Sequence, residues 1–93
     1  MSTVMIGDVI REILAQHGKQ QLFLEQQAVE IWPDVVGNLI SRYTHKVSVS
    51  KGVLTVFVKN SALRFELNGR KSEIIEKLND KLGAPTIKDL NIR

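Results

Sequence analysis

The side chains in this sequence whose types and spacing bear on chemistry are basic. Between Arg42 and Lys71 the chain carries Arg42, Lys46, Lys51, Lys59, Arg64, Arg70 and Lys71 against a single acid, Glu66. Residues 1–41 are net acidic, with Asp8, Glu12, Glu25, Glu30 and Asp34 against Arg11 and Lys19, and residues 72–93 are balanced. Ammonium and guanidinium groups concentrated in one stretch are the electrostatic footprint of a polyanion site. The same composition also describes a solvated face that keeps a protein in solution. Within the basic stretch, Gly69-Arg70-Lys71-Ser72 places a cationic pair between a glycine and a competent helix cap.

Covalent and metal chemistry lack their materials. There is no cysteine, which removes thiolate nucleophiles, thiolate metal sites and disulfides. His17 and His45 are the two histidines, and neither stands in a metal-binding spacing. His17 reads as a residue near a helix C-terminus, where it favours the local dipole, and His45 as a residue of an edge strand. No phosphate-cradling glycine loop of the nucleotide-binding types and no nucleophile elbow is present. The carboxylates are scattered and pair naturally with basic neighbours, as Glu73 does with Lys77 one turn on. This pattern points to a non-enzymatic binding module that needs no cofactor and no metal.

The 93 residues make one domain, 1–93, with residues 1–7 expected to be flexible. Hydrophobic residues at 43% and charged residues at 25% exclude a disordered acidic chain and a collagen-like repeat. No apolar run has the length of a membrane span, and Met1 to Gly7 shows no secretory pattern, so the expected compartment is the cytoplasm.

The elements that must position these residues follow from periodicity. Asp8 caps a short helix over 8–17, with Val9, Ile10, Ile13 and Leu14 at helical spacing and Gly18 as its stop. A second pattern runs from Gln20 to Arg42, as one kinked helix or two helices sharing a corner at Trp32, because Pro33 disfavours helical geometry just before it. Trp32 is a core residue at that corner, and Gly37 permits close helix contact. Residues 44–50 alternate with period two, Lys51-Gly52 makes a turn, and 53–58 return as a strand rich in β-branched residues. Asn60 or Ser61 caps a long pattern through Leu63, Leu67, Ile74, Ile75, Leu78 and Leu82 that Gly83 ends. Residues 86–92 close the chain as a strand.

The order α-α-β-β-α-β describes a two-layer α+β fold, with a three-stranded sheet and its helices on one face. Leu54, Val56 and Val58 face the helices, with Val47 and Val49 beside them. Val53 and Phe57 then fall on the opposite face, where an exposed apolar pair marks a partner or dimer surface. The pattern from 60 to 82 reads as one continuous helix with Arg70 and Lys71 on its wet side. If it breaks at Gly69 instead, the order resembles the type II K-homology (KH) arrangement, in which a G-x-x-G loop clamps a nucleic-acid backbone. Here Ser72 stands at the second glycine position.

The segments Trp32-Pro33-Asp34-Val35-Val36-Gly37, Thr44, Gly52-Val53-Leu54-Thr55-Val56, Asn60 to Leu67, Leu78-Asn79 and Ile87 to Ile92 resemble, in order and spacing, the bacterial DciA family. The similarity covers nearly the whole chain and looks closest to the short Bacteroidetes-type members. The resemblance implies a KH-like domain that binds DNA and helps place the replicative helicase on it, without enzymatic activity or cofactor. Many members carry tryptophan where this sequence has Leu63, and many extend into a basic tail beyond the position of Arg93.

The leading expectation is a cytoplasmic nucleic-acid-binding accessory of DNA replication, with Lys46, Lys51, Lys59, Arg64, Arg70 and Lys71 on phosphates of DNA, single- or double-stranded, or RNA. Such contacts weaken steeply with salt and carry little base preference. The alternative is a protein-interaction adaptor or homodimer that never touches nucleic acid, anchored through Val53 and Phe57. The replicative helicase is a candidate partner, and a membrane is not.

Overall fold

Helix α1 spans Ile6–Val36 and ends one residue before Gly37, whose φ of 89° and ψ of 170° are open almost solely to glycine. The computed structural model describes residues 6–93, with side chains from Gly18 onward. The expected helix stop at Gly18 is therefore corrected, since α1 continues unbroken through it. An interior glycine costs about 1 kcal/mol against alanine but keeps its hydrogen bonds, and burial of Ala28 and Trp32 further along supplies the packing. Pro33 likewise sits inside the last turn of α1 rather than opening a corner at Trp32. The corner is at Gly37: its N–H donates to the Pro33 carbonyl at 2.8 Å and its carbonyl accepts from Ser41 at 3.0 Å. Among the described residues nothing beyond its two chain neighbours lies within 4 Å of where a Gly37 Cβ would stand, so the residue is there for its φ and not for close helix contact. The proposed Asp8 cap lies outside the described side chains; expected flexibility over 1–7 concerns residues outside the description, except Ile6 and Gly7, which belong to α1.

Helix α2, Asn38–Tyr43, leads directly into β1, Thr44–Ser50. Lys51 and Gly52, with φ of 51° and 81°, form a two-residue turn of the kind that matches strand twist, and β2 returns over Val53–Val58. The register pairs Lys46 with Phe57, Val47 with Val56 and Val49 with Leu54, with a bulge at His45 between Thr44 and Lys46. Strand β3, Asp89–Ile92, is shorter than the 86–92 expected and lies parallel to β2, giving the sheet order β1-β2-β3.

A parallel pair requires a crossover, and two helices supply it. Helix α3 is Ser61–Asn68 and α4 is Lys71–Leu82, closed by Gly83 at φ 76°. The expected single helix over 60–82 is thus corrected: the chain turns at Gly69-Arg70, where the Arg70 N–H reaches back to the Leu67 carbonyl at 3.0 Å. Leu67, Ile74 and Leu78 are all buried, so the helical period runs straight through the break and conceals it. Helix α3 packs on β2 and β3, whereas α4 packs on α1 and β3, and a straight helix cannot serve both. The resulting order, α-α-β-β-α-α-β, is KH-like.

One layer of helices covers one face of the sheet. Leu54, Val56 and Val58 meet Trp32, Leu67, Leu78 and Leu90 in the core, with Val47 and Val49 packed against it. Trp32 is buried, and its Nε1–H donates to Thr44 Oγ1 at 3.2 Å, which in turn donates to the Ile40 carbonyl at 2.8 Å. A hydrogen-bonded tryptophan beneath the α2–β1 junction is a core residue and not a stacking platform.

Candidate nucleic-acid interface

Asn60 opens α3 as its N-cap, its Oδ1 accepting from the Leu63 N–H at 2.9 Å, and that cap fixes where the following basic residues emerge. Arg64, one turn in, folds back to donate from a guanidinium nitrogen to the Val58 carbonyl at the end of β2. Lys59 follows Val58, and its N–H donates to the Tyr43 carbonyl at 2.9 Å. The structure thereby brings Lys59, Arg64 and the neighbouring Arg42 to one end of the sheet. No carboxylate pairs with any of these three among the described residues.

Arg70 and Lys71 lie at the other end of α3, about 12 Å along the helix axis for eight residues. Lys71 begins α4, while Arg70 is the residue before it. Arg70 is held by its own neighbours: it contacts Glu73 at 3.2 Å and Glu66 at 3.6 Å, and Glu73 also meets Lys77 at 3.1 Å. The hydrogen bond to Glu73 raises the Arg70 pKa above its already high ordinary value. The hydrogen bonds from Arg70 and then Lys77 hold the Glu73 carboxyl below the usual carboxylate range. Gly69 itself has φ −74°, and a Cβ there would stand 3.5 Å from the nearest carbonyl oxygen, so the turn does not demand glycine.

The remaining two basic candidates are elsewhere. Lys46 lies on the open sheet face with its ammonium 5.6 Å from the Phe57 ring centroid. Lys51 is at the hairpin tip, separated from Lys59 by the length of β2, about 20 Å for six residues. There it lines, with Lys19, Leu22 and Glu25, a groove of about 660 Å³ between α1 and the hairpin. Val53 and Phe57 do occupy the open face, but both are half-buried. The His45 ring, set at the bulge, tilts against Phe57 at 5.7 Å, so this pair is a smaller apolar surface than its sequence implies.

Among the described residues the large exposed apolar side chains are others: Phe65 at 84%, Leu22 at 63%, Phe23 at 62%, Leu39 at 60% and Tyr43 at 41%. Phe65 lies off the inward stripe of Leu63 and Leu67, an offset legible in the sequence, whereas Leu39 continues the apolar period of Val35, Val36 and Ile40 yet faces solvent. Among the described residues no three histidine, aspartate or glutamate side chains gather where a metal ion would sit. Nor is any helix among them long and apolar enough to cross a membrane.

Comparison with known proteins adds one family. The sequence model described as "Dna[CI] antecedent, DciA" matches residues 5–92, nearly the whole chain. No curated protein matches it. A match of that extent, on a KH-like order of elements, is sufficient to place it: the chain belongs to the DciA family.

Proposed function

We propose that this protein is a non-enzymatic nucleic-acid-binding accessory that assists loading of the replicative helicase. The DciA family is associated with helicase loading in DNA replication, and that association supports the process assigned here. The observation that carries the binding reading is the break between α3 and α4. It sets Arg70 on a turn between two helices in the KH order, with Lys71 opening the second, and that turn is where KH modules clamp a nucleic-acid backbone.

Lys59, Arg64 and Lys71 make the principal phosphate contacts in this reading. Arg70 contributes less because two carboxylates already hold it, and Lys46 and Lys51 act from separate surfaces. Phosphates position the strand without reading its sequence, so affinity falls with salt and varies little with base composition. The replicative helicase is the protein partner, met while the strand is held.

An amide chemical-shift titration with short single-stranded DNA, at low and high salt, tests this. Shifts confined to residues 42–71 that fade with salt are expected, and the double variant Lys59→Glu, Lys71→Glu should abolish them. Absence of any shift at low salt would overturn the reading and leave a protein adaptor as its successor.

A further inference from the structure

The end of the sheet that gathers Arg42, Lys59 and Arg64 also exposes two aromatic rings. Tyr43 follows Arg42 at the end of α2, and Phe65 follows Arg64 on α3. Their exposures, 41% and 84%, leave the rings open to solvent, although Leu67, two residues beyond Phe65, is fully buried. The Lys59 N–H bond to the Tyr43 carbonyl and the Arg64 bond to the Val58 carbonyl tie these residues around one strand end. Each ring therefore follows a basic residue in the chain, Tyr43 after Arg42 and Phe65 after Arg64, with Lys59 at the strand end between them. Glu66, the single acid of this stretch, is occupied by Arg70.

We infer that this end of the molecule is a stacking site for the unpaired bases of a single-stranded nucleic acid, with Phe65 and Tyr43 as its platforms. The inference rests on the nucleic-acid reading above and extends it from the backbone to the bases. Cations without a carboxylate partner suit phosphates, and exposed rings at the same end of the molecule suit the faces of unpaired bases. A duplex offers its phosphates but keeps the faces of its bases within the stack, so rings at this position distinguish single strands from paired ones. An acidic peptide would meet the charges but would match the rings only where it carries aromatic side chains of its own.

The test compares binding of a short oligothymidylate, an abasic strand with the same number of phosphates, and a duplex. It uses the wild type, Phe65→Ala, Tyr43→Ala and the rescue variant Phe65→Trp. Phe65→Ala should weaken oligothymidylate binding by about ten-fold. It should leave abasic and duplex binding, and the salt dependence of all three, unchanged, and Phe65→Trp should restore affinity. Thermal unfolding of the Phe65 variants should match the wild type because that ring is 84% exposed, and Tyr43→Ala is compared at a temperature where it is fully folded. If both alanine variants bind oligothymidylate like the wild type while Lys59→Glu weakens it, stacking is overturned and the phosphate reading stands. Equal losses on the abasic strand would also overturn stacking. A wild type that binds none of the strands at low salt overturns both readings.

Discussion

The carboxylate of Glu25, a residue only 5% exposed, accepts the N–H of Gly52 through Oε2 at 2.9 Å, across 27 positions of sequence. The Gly52 carbonyl in turn accepts from the Lys88 N–H at 2.7 Å. One glycine thus joins α1, the hairpin turn and the approach to β3. A buried carboxylate is costly unless it is hydrogen-bonded, so this contact explains how Glu25 is tolerated at the edge of the core.

Glu25→Ala leaves the Gly52 N–H without its partner and should destabilise the protein by about 1–3 kcal/mol in urea unfolding. Glu25→Gln keeps an acceptor at the same place and should cost less. Gly52→Ala should be destabilising for a different reason. Its φ is 81°, and the added Cβ would stand 3.2 Å from the Lys88 side chain and 3.3 Å from the Thr86 carbonyl.

The glycines at the two helix breaks should behave in opposite ways. Gly37→Ala forces an L-residue to φ 89° and should cost about 1–3 kcal/mol. Gly69→Ala meets no clash at φ −74° and should be neutral or stabilising by about 0.4–1 kcal/mol. If the α3–α4 turn clamps a phosphate through its backbone, Gly69→Ala should still weaken oligonucleotide binding. A stabilised variant with unchanged affinity would remove the clamp role.

Asn79 closes the connection from α4 to β3. Its Oδ1 accepts from Thr86 at 3.1 Å and Ile87 at 2.8 Å, and its Nδ2 donates to the Ile87 carbonyl at 2.9 Å. Asn79→Ala should cost about 2–3 kcal/mol from these lost bonds and speed hydrogen exchange at Ile87. Asn79→Asp retains the acceptor but sets a carboxylate against the Ile87 carbonyl, so it should fall between alanine and the wild type.

The Arg70–Glu73–Lys77 cluster sets a pH dependence of known sign. Because the Glu73 carboxyl is held low by hydrogen bonds from Arg70 and Lys77, its stabilising effect is present above the ordinary carboxylate range. That effect is lost as pH falls through the lowered native value. Glu73→Gln should flatten the acid limb of the stability profile. It should also raise affinity for a nucleic-acid strand at neutral pH, since it removes a carboxylate and leaves Arg70 with Glu66 alone. Unfolding at graded acid pH, with binding measured near neutrality, checks both.

The sequence by itself determined the elements whose signals are local. Alternation over 44–50 and 53–58, the Lys51-Gly52 turn and the Gly83 stop act within a few residues and stand where periodicity and turn chemistry put them, and of the two cap candidates, Asn60 and Ser61, the structure selects Asn60. The core face of Leu54, Val56 and Val58 follows from the same period of two, and the ordered motifs were enough to indicate the family. Where the helices break was decided by tertiary structure. Gly18 and Pro33 are helix breakers by type, yet α1 passes through both, and at Pro33, in the last turn beside the buried Trp32, core packing outweighs local propensity. At Arg70 the reverse holds: a good helical period spans a break imposed by two different packing partners. The candidate interface was legible only in part for the same reason. Charge along the chain singled out the basic third, but how those charges are distributed depends on where β2 ends and how α3 turns. That geometry brings Lys59 and Arg64 together, moves Lys46 and Lys51 to other surfaces, and leaves Phe65 in solvent beside them.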